Sequence, residues 1–479
     1  MGERGSGGEA LEDRARRIPG RTGHRAAGEA EEVAGLGKSE ELEFHGSGSM
    51  PKPERRRKAP IGTDAARAAS GSDQFPLSAL RILHSTFRTM ISLTTARRIL
   101  TAEVSPRAAE ATPLALAHGR VLAEDVVADA FYPAGDRSMM DGYAIAADAA
   151  PGAYRVVGEI QAGQMPERPL GAGEAMRINT GALLPAGGGR VVMQEDAQRD
   201  GEVVTFARIA ERRFVREKGS EAQPGAVVLP AGTRLGAAEL AILAQVGAVT
   251  PRVVRAPTIR HLATGSELVA PAETPRGGQI RDTNSSLLQA LVAEAGATVA
   301  GSQRCGDDPA ALVALADEPC DLLLISGGAS VGDYDFGART LRTLGFTIHF
   351  DRVDLRPGKP LTFATRGAQA AFVIPGNPVS HFVCFQVAIR LALERMAGRE
   401  PAWNPVLLEL RGGEPLRPDP RETYWPARAF VGDGRLVVTP KRWSTSGDTF
   451  SLAGTNALIR VGEPMPAGGL VETLLLGLW

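Results

Sequence analysis

The stretch DLLLISGGASVGDYDF, Asp321 to Phe336, decides how the chain is read. Leu322 to Ile325 form a short, wholly apolar run that stops at Ser326-Gly327-Gly328. An unbroken apolar run bounded by a glycine turn is the pattern of a strand buried on both faces of a parallel sheet. Gly327, Gly328 and the small Ala329 and Ser330 let backbone N–H groups approach a ligand closely. Such N–H groups ahead of a helix start form a cradle for phosphate-like anions. The acids that follow, Asp333 and Asp335, do not welcome an anion. They suit a hard cation such as Mg²⁺, or they accept hydrogen bonds from a polar heterocycle.

Around this stretch, from about Arg255 to Ala397, strand, turn and helix alternate. Thr258 to Ala263, Thr298 to Ala300, Leu322 to Ile325 and Phe372 to Ile374 read as strands. Asp282-Thr283-Asn284 reads as the cap of a helix with apolar Leu287, Leu288, Leu291 and Val292. Asp308-Pro309 opens a helix from Ala310 to Ala316, Gly337 to Leu344 is a third, and a last one runs from about Ser380 to Met396. This alternation predicts a doubly wound parallel sheet. In such sheets ligands lie beyond the carboxyl ends of the strands. The turns there are Thr264-Gly265-Ser266-Glu267, Gly306-Asp307-Asp308-Pro309, the glycine turn already quoted, and Pro375-Gly376-Asn377-Pro378-Val379-Ser380, with Arg356-Pro357-Gly358-Lys359-Pro360 between the last two. Each alone is most often only a turn, a helix cap or a solvated charge. Together they place acids (Glu267, Asp307, Asp333, Asp335) and bases (Arg356, Lys359) at every expected strand end.

The rest of the chain is β-rich. Leu93 to about Asp125 reads as helical, followed by a turn-rich segment. Val127 to about Gln223 holds short Val-rich pieces such as Tyr154 to Val157 and Arg190 to Met193, a small β domain. Gly225 to Val249 reads as strand, turn and helix. The last ~80 residues return to strands (VLLEL, RLVVTP, ALIRV) among prolines and glycines, as in a small barrel or sandwich. The 479 residues fit about three domains. The 56 glycines and 33 prolines agree with many turns.

Balanced charge, 54 Lys+Arg against 55 Asp+Glu, gives no case for a nucleic-acid or membrane surface. Cys305, Cys320 and Cys384 form no CxxC pair, so neither a disulfide scaffold nor a thiolate zinc site is expected, and a cytoplasmic setting fits. No apolar run reaches the ~18 residues of a membrane helix. Residues 1–89 are rich in Gly, Ala, Arg, Glu and Ser and are expected to be a disordered extension or the product of a misassigned start. They lack the pattern of a signal or transit peptide, and Glu54 to Lys58 reads as solvated charge. GLGKS, Gly35 to Ser39, is not a nucleotide loop, because Glu32 stands where the first glycine belongs and no strand precedes it.

Several pieces together are specific. SMMDGYA (Ser138 to Ala144), INTGALLP (Ile178 to Pro185), VVMQED (Val191 to Asp196), PAGTRL (Pro230 to Leu235), ATGSEL (Ala263 to Leu268), DTN (Asp282 to Asn284), SGGASVGDYD, RPGKP and PGNPVS occur in this order. Over residues 93 to 460 the chain thereby resembles the molybdopterin molybdenumtransferase family, which includes gephyrin. The resemblance implies a multidomain α/β plus β fold. Its parts are an elongated linker domain from two segments (90–126 and 224–254), an inserted β domain (127–223), a molybdopterin-binding α/β domain (255–400) and a C-terminal β domain (401–479). It implies a head-to-tail homodimer with shared active sites, insertion of molybdate into adenylyl-molybdopterin with release of AMP, and assistance by Mg²⁺. An upstream adenylyltransferase is a further candidate partner.

Carried onto this sequence, the resemblance implies catalytic roles for Asp141, Thr180, Glu267, Asp307, Asp335 and Lys359, with Glu267, Asp307 and Asp335 as Mg²⁺ ligands. It implies ligand binding by Thr264, Gly265, Ser326, Gly327, Gly328, Ser330, Pro375, Gly376, Asn377, Pro378 and Ser380. Molybdate, a tetrahedral dianion, needs cationic or N–H donors; Arg356, Lys359, Arg428 and Ser446 are the candidates. The chain departs from the family pattern at Arg356 (usually Lys), Ser266 (often Asp) and Phe450 (usually small). Two alternatives stand beside this reading: molybdopterin adenylyltransferase, which shares the α/β fold, and a non-catalytic scaffold.

Overall fold

The computed structural model describes residues 90–328, 336–400, 403–412, 416, 418–462 and 464–476, all within one unit, Ser85–Trp479. The extension 1–89, and with it Asp333, Asp335, Ser330 and Ala329, lies outside the described residues.

Leu322–Ser326 is a fully buried central strand. It pairs in parallel with Thr258–Thr264 on one side and Gln369–Ile374 on the other. Thr298–Cys305 extends the parallel ladder beyond Thr258–Thr264. Leu322 and Leu324 face one hydrophobic cluster with Leu288, Leu291 and Val292 of the Asn284–Glu294 helix and with Phe382 to Met396. Leu323 and Ile325 face the other, with Leu312 and Ala316 of Pro309–Ala316 and Leu341 of Phe336–Thr343. Helices on both faces explain why this strand is an unbroken apolar run instead of an alternating one. The sheet is doubly wound, yet it is mixed and not purely parallel. Thr362–Arg366 adds to it antiparallel, and Thr347–Phe350, antiparallel to Thr362–Arg366, forms the edge. The expected strand at Thr298 to Ala300 is longer than read, and the last helix is continuous from Pro378 to Met396 with one π turn at Phe385–Ile389.

The helix expected over Leu93 to Asp125 ends at Glu103. Ser92 caps it, and Leu93, Ala96 and Leu100 pack into the α/β core. Beyond it the chain turns to Ala109–Ala111, which pairs with Arg252–Val254, and Val126–Val127, which pairs with Val227–Leu229. Leu122, Leu229, Leu235, Leu243 and Val253 form the common core of these two segments. Between them lies a six-stranded sheet running from Gly142–Ile145 to Val203–Phe206. Tyr143 and Ile145 face one cluster and Ala144 the other.

The C-terminal strands close into a barrel: Glu422–Gly432 pairs with both Arg435–Pro440 and Ala457–Val461, and Leu470–Leu475 joins Ala457–Val461 to Val406–Leu410, which pairs with Arg435–Pro440. A two-residue strand from the α/β part, Leu355–Arg356, adds in parallel at Glu422 and Thr423.

Candidate functional site

The strand-end turns meet around Gly327. It adopts φ +86°, and a Cβ there would lie 2.5 Å from the Thr264 carbonyl oxygen. Only glycine allows both the conformation and the approach. Thr264 donates its hydroxyl to the Ser326 carbonyl at 3.2 Å. Gly327 N–H donates to the Ile374 carbonyl at 3.1 Å, which brings in the turn after the neighbouring strand. Gly376 in that turn packs against it, so that a Cβ on Gly376 would sit in ordinary contact, 3.6 Å from Gly327 Cα. Asn284 donates Nδ2 to the Gly376 carbonyl at 2.7 Å, and its buried Oδ1 has no partner among the described residues.

Two acids join the rim. Ser266 Oγ donates to Asp307 Oδ2 at 2.8 Å, tying the first turn to the second. The Glu267 carboxylate folds back over Gly265, where a Cβ would meet its Oε2 at 2.5 Å. Among the described residues no group of three or more His, Cys, Asp or Glu side chains could hold a metal ion. The barrel reaches the same rim. Asn377 Nδ2 donates to Ser446 Oγ at 2.8 Å, and Val379 N–H to the Ser446 carbonyl at 3.0 Å. Pro378 opens the helix below, and Ser380 is buried in its first turn.

The cations are placed differently from one another. Arg356 forms an ion pair with Asp419 at 3.1 Å, and its guanidinium lies 5.6 Å from the centre of the Trp443 ring. Lys359 is exposed in the turn that follows. Arg428 is exposed on the barrel strand opposite Thr439 and makes no ion pair among the described residues.

Asp141 and Thr180 pair with each other and not with this rim. Asp141 Oδ1 accepts from Thr180 N–H at 2.6 Å and from its hydroxyl at 2.8 Å. The backbone N–H first, and then the hydroxyl, hold the carboxyl below the usual aspartate range. Gly142, next in SMMDGYA, lies in a strand so close to the neighbouring strand Arg190–Met193 that a Cβ would collide with the Val192 carbonyl.

Beneath the rim lies a polar group not anticipated from sequence. His261 is fully buried in the first strand, with Nε2 2.7 Å from the Ser326 hydroxyl and Nδ1 3.1 Å from that of Ser302. Burial outweighs nearby Asp282 and pushes it down to about 4. His381 packs edge-on against it, and among the described residues neither of its ring nitrogens makes a well-aligned hydrogen bond. Burial and His261 push it down to about 3; the Pro375 carbonyl acts in the other direction. Ser266, Asn284, Asp419 and Trp443 were likewise not singled out as site residues. Asn284 carried the available signal, since it closes the DTN piece.

With this geometry in hand, the comparisons are specific. The MoeA N-terminal region (domain I and II) matches residues 91–247, a probable molybdopterin binding domain matches 260–395, and the MoeA C-terminal region (domain IV) matches 409–476. Molybdopterin molybdenumtransferase of Nostoc sp. is 37% identical over 378 residues, covering 75% of this chain and 87% of that protein. The protein of the same name from Bacillus subtilis is 34% identical over 355 residues, 71% of this chain and 83% of its own length. A crystal structure of a molybdopterin biosynthesis moeA protein from Pyrococcus horikoshii OT3 superposes with a TM-score of 0.69 at 27% identity, over 81% of this chain and all of that one. By these matches across its N-terminal, α/β and barrel regions, the chain belongs to the molybdopterin molybdenumtransferase family.

Proposed function

We propose that this protein inserts molybdate into adenylyl-molybdopterin and releases AMP, forming the molybdenum cofactor. The observation that carries the reading is the convergence of the turns on Gly327, in a chain of this family. Asn284 Oδ1, unpartnered among the described residues, is an acceptor suited to a donor such as a pterin N–H. Thr264 and Ser326 fix the backbone there, and Asn377 and Ser446 hold the barrel strap against it. Arg356, Lys359, Arg428 and Ser446 are the oxyanion-binding candidates.

The residues present fit Mg²⁺. Glu267 and Asp307 are hard oxygen donors on two adjoining turns beside the phosphate cradle, and Mg²⁺ typically takes one or two carboxylates and completes its shell with phosphates and water. When bound it would offset the charge of the phosphoanhydride. Asp335 is the third proposed ligand. The separate Asp141–Thr180 pair supports a head-to-tail dimer in which each subunit lends this pair to its partner's rim. No described helix is long and apolar enough to cross a membrane; we place the enzyme in the cytoplasm, downstream of an adenylyltransferase.

The test is to incubate the protein with adenylyl-molybdopterin, Mg²⁺ and micromolar molybdate. Molybdate-dependent AMP release with molybdenum bound to the pterin is expected. AMP release without molybdenum transfer, or neither, would overturn the assignment.

A further inference from the structure

Among the described residues, Arg356 is the one oxyanion-binding candidate that is paired with an acid. Asp419 Oδ2 lies 3.1 Å from Arg356 Nη1 in an ion pair, and the Arg356 and Asp419 side chains are 35% and 20% exposed. Asp419 is itself oriented by Arg421, whose Nε donates at 2.9 Å and whose backbone N–H donates at 3.1 Å to the same Oδ1. Two guanidinium groups therefore share one carboxylate. The Arg421 hydrogen bonds first, with Arg356 adding to them, keep that carboxyl below its ordinary range, so it is fully charged at neutral pH.

The position of Arg356 is set from three directions. Its backbone is held in the two-residue strand against Glu422 and Thr423. Its guanidinium lies over Trp443, which packs edge-on against Trp425 at 4.8 Å and donates Nε1–H to the Thr445 carbonyl at 2.6 Å. The next residue of that strap is Ser446, which is bonded to the rim. Asp419 is thus both a strut and a competitor. An oxyanion reaching Arg356 must displace the carboxylate or share the cation with it, against the repulsion of a like charge.

We propose that Asp419 is a specificity-determining residue: it withholds Arg356 and Arg421 from loosely held oxyanions and so sets the affinity of the site for its oxyanion substrate. This rests on the transferase reading given above. Asp419 touches no reacting atom in this scheme and acts through Arg356. Its loss therefore changes how tightly molybdate binds and not how fast the bound substrate reacts.

Asp419→Asn keeps the size and removes the counter-ion that both arginines share. The molybdate KM should fall by about three- to tenfold, the scale expected of a partly exposed ion pair. The value of kcat should stay within about twofold, and sulfate should become a stronger competitive inhibitor. Asp419→Glu should return both constants toward wild type. On an Arg356→Ala background most of the gain should disappear. An unchanged or raised KM in Asp419→Asn, or a gain that survives Arg356→Ala in full, overturns the proposal. Equilibrium dialysis of molybdate against wild type and Asp419→Asn reads the same comparison without turnover, and equal affinities overturn it too. Absence of AMP release by the wild-type enzyme would instead overturn the transferase assignment alone.

Discussion

Asp141 collects two donors from a single residue on a neighbouring turn, and this local economy makes its protonation state testable. Thr180→Val keeps the backbone N–H and removes the hydroxyl, so the carboxyl should rise part of the way to the ordinary aspartate value. A depressed carboxyl is ionised above its folded value and is neutralised as pH falls through it. The acid limb of the kcat profile should therefore move to higher pH, with activity at pH 8 reduced on the order of three- to tenfold for one lost charge-assisted bond. The buried imidazoles titrate with the opposite consequence. His261 and His381 stay neutral in the fold, down to about 4 and about 3, whereas an unfolded histidine protonates near 6.5. The unfolded chain binds the extra protons, so stability is full above about pH 6.5 and declines as pH falls toward 4. His381→Leu removes an imidazole that makes no well-aligned hydrogen bond among the described residues. It should leave the urea midpoint at pH 7.5 unchanged or raised and flatten its fall between pH 6.5 and 4.

At the scale of single elements, what could be read from sequence was what local chemistry specifies. Leu322–Ser326 is written in its own five residues, and Asp308 does cap Pro309–Ala316, accepting from Ala310 and Ala311 N–H. The cap expected at Asp282-Thr283-Asn284 works through Asp282, which accepts from Ser285 N–H at 3.0 Å, while Thr283 contributes no side-chain bond. The antiparallel strands Thr347–Phe350 and Thr362–Arg366 escaped notice because they are short and owe their conformation to neighbours in the ladder. Glu422–Gly432 escaped because Pro426 reads as a break. That proline lies on the Ala457–Val461 ladder, one residue before the Arg435–Pro440 ladder begins at Ala427. In the site, the turn residues were visible, but Asp419 was not, since no spacing rule links it to Arg356. The glycine turn gives the sharpest element-scale test. Gly327→Ala must fit a side chain at φ +86° against a carbonyl oxygen. It should cost about 1–3 kcal/mol by denaturant titration, from backbone strain alone, and abolish pterin binding.

For the molecule as a whole, the separation of Asp141 from the α/β rim is the fact to exploit. If two subunits build each site together, Asp141→Ala and Glu267→Ala enzymes are each inactive, yet mixing them should restore molybdate-dependent AMP release. One of the two sites in a mixed dimer would hold only intact residues. Mixtures no more active than their components would place both residues in one subunit's own site. The base of the α/β sheet is also tied together. Asp321 accepts from Arg255 at 2.8 and 2.7 Å and from Thr258 N–H at 2.7 Å, so that, although burial alone would raise it, its carboxyl sits at about 2.

The barrel borrows Leu355–Arg356 from the α/β part, and Tyr424 and Leu458 turn outward into the α/β core. The C-terminal portion is therefore not a cassette that can be cut out and transplanted. Excised at the family boundary, it would leave Glu422 and Thr423 as an open edge and Tyr424 in water, the ingredients of a sticky, self-associating fragment. Shuffling of such modules among related enzymes would have to carry the short borrowed strand along with the barrel.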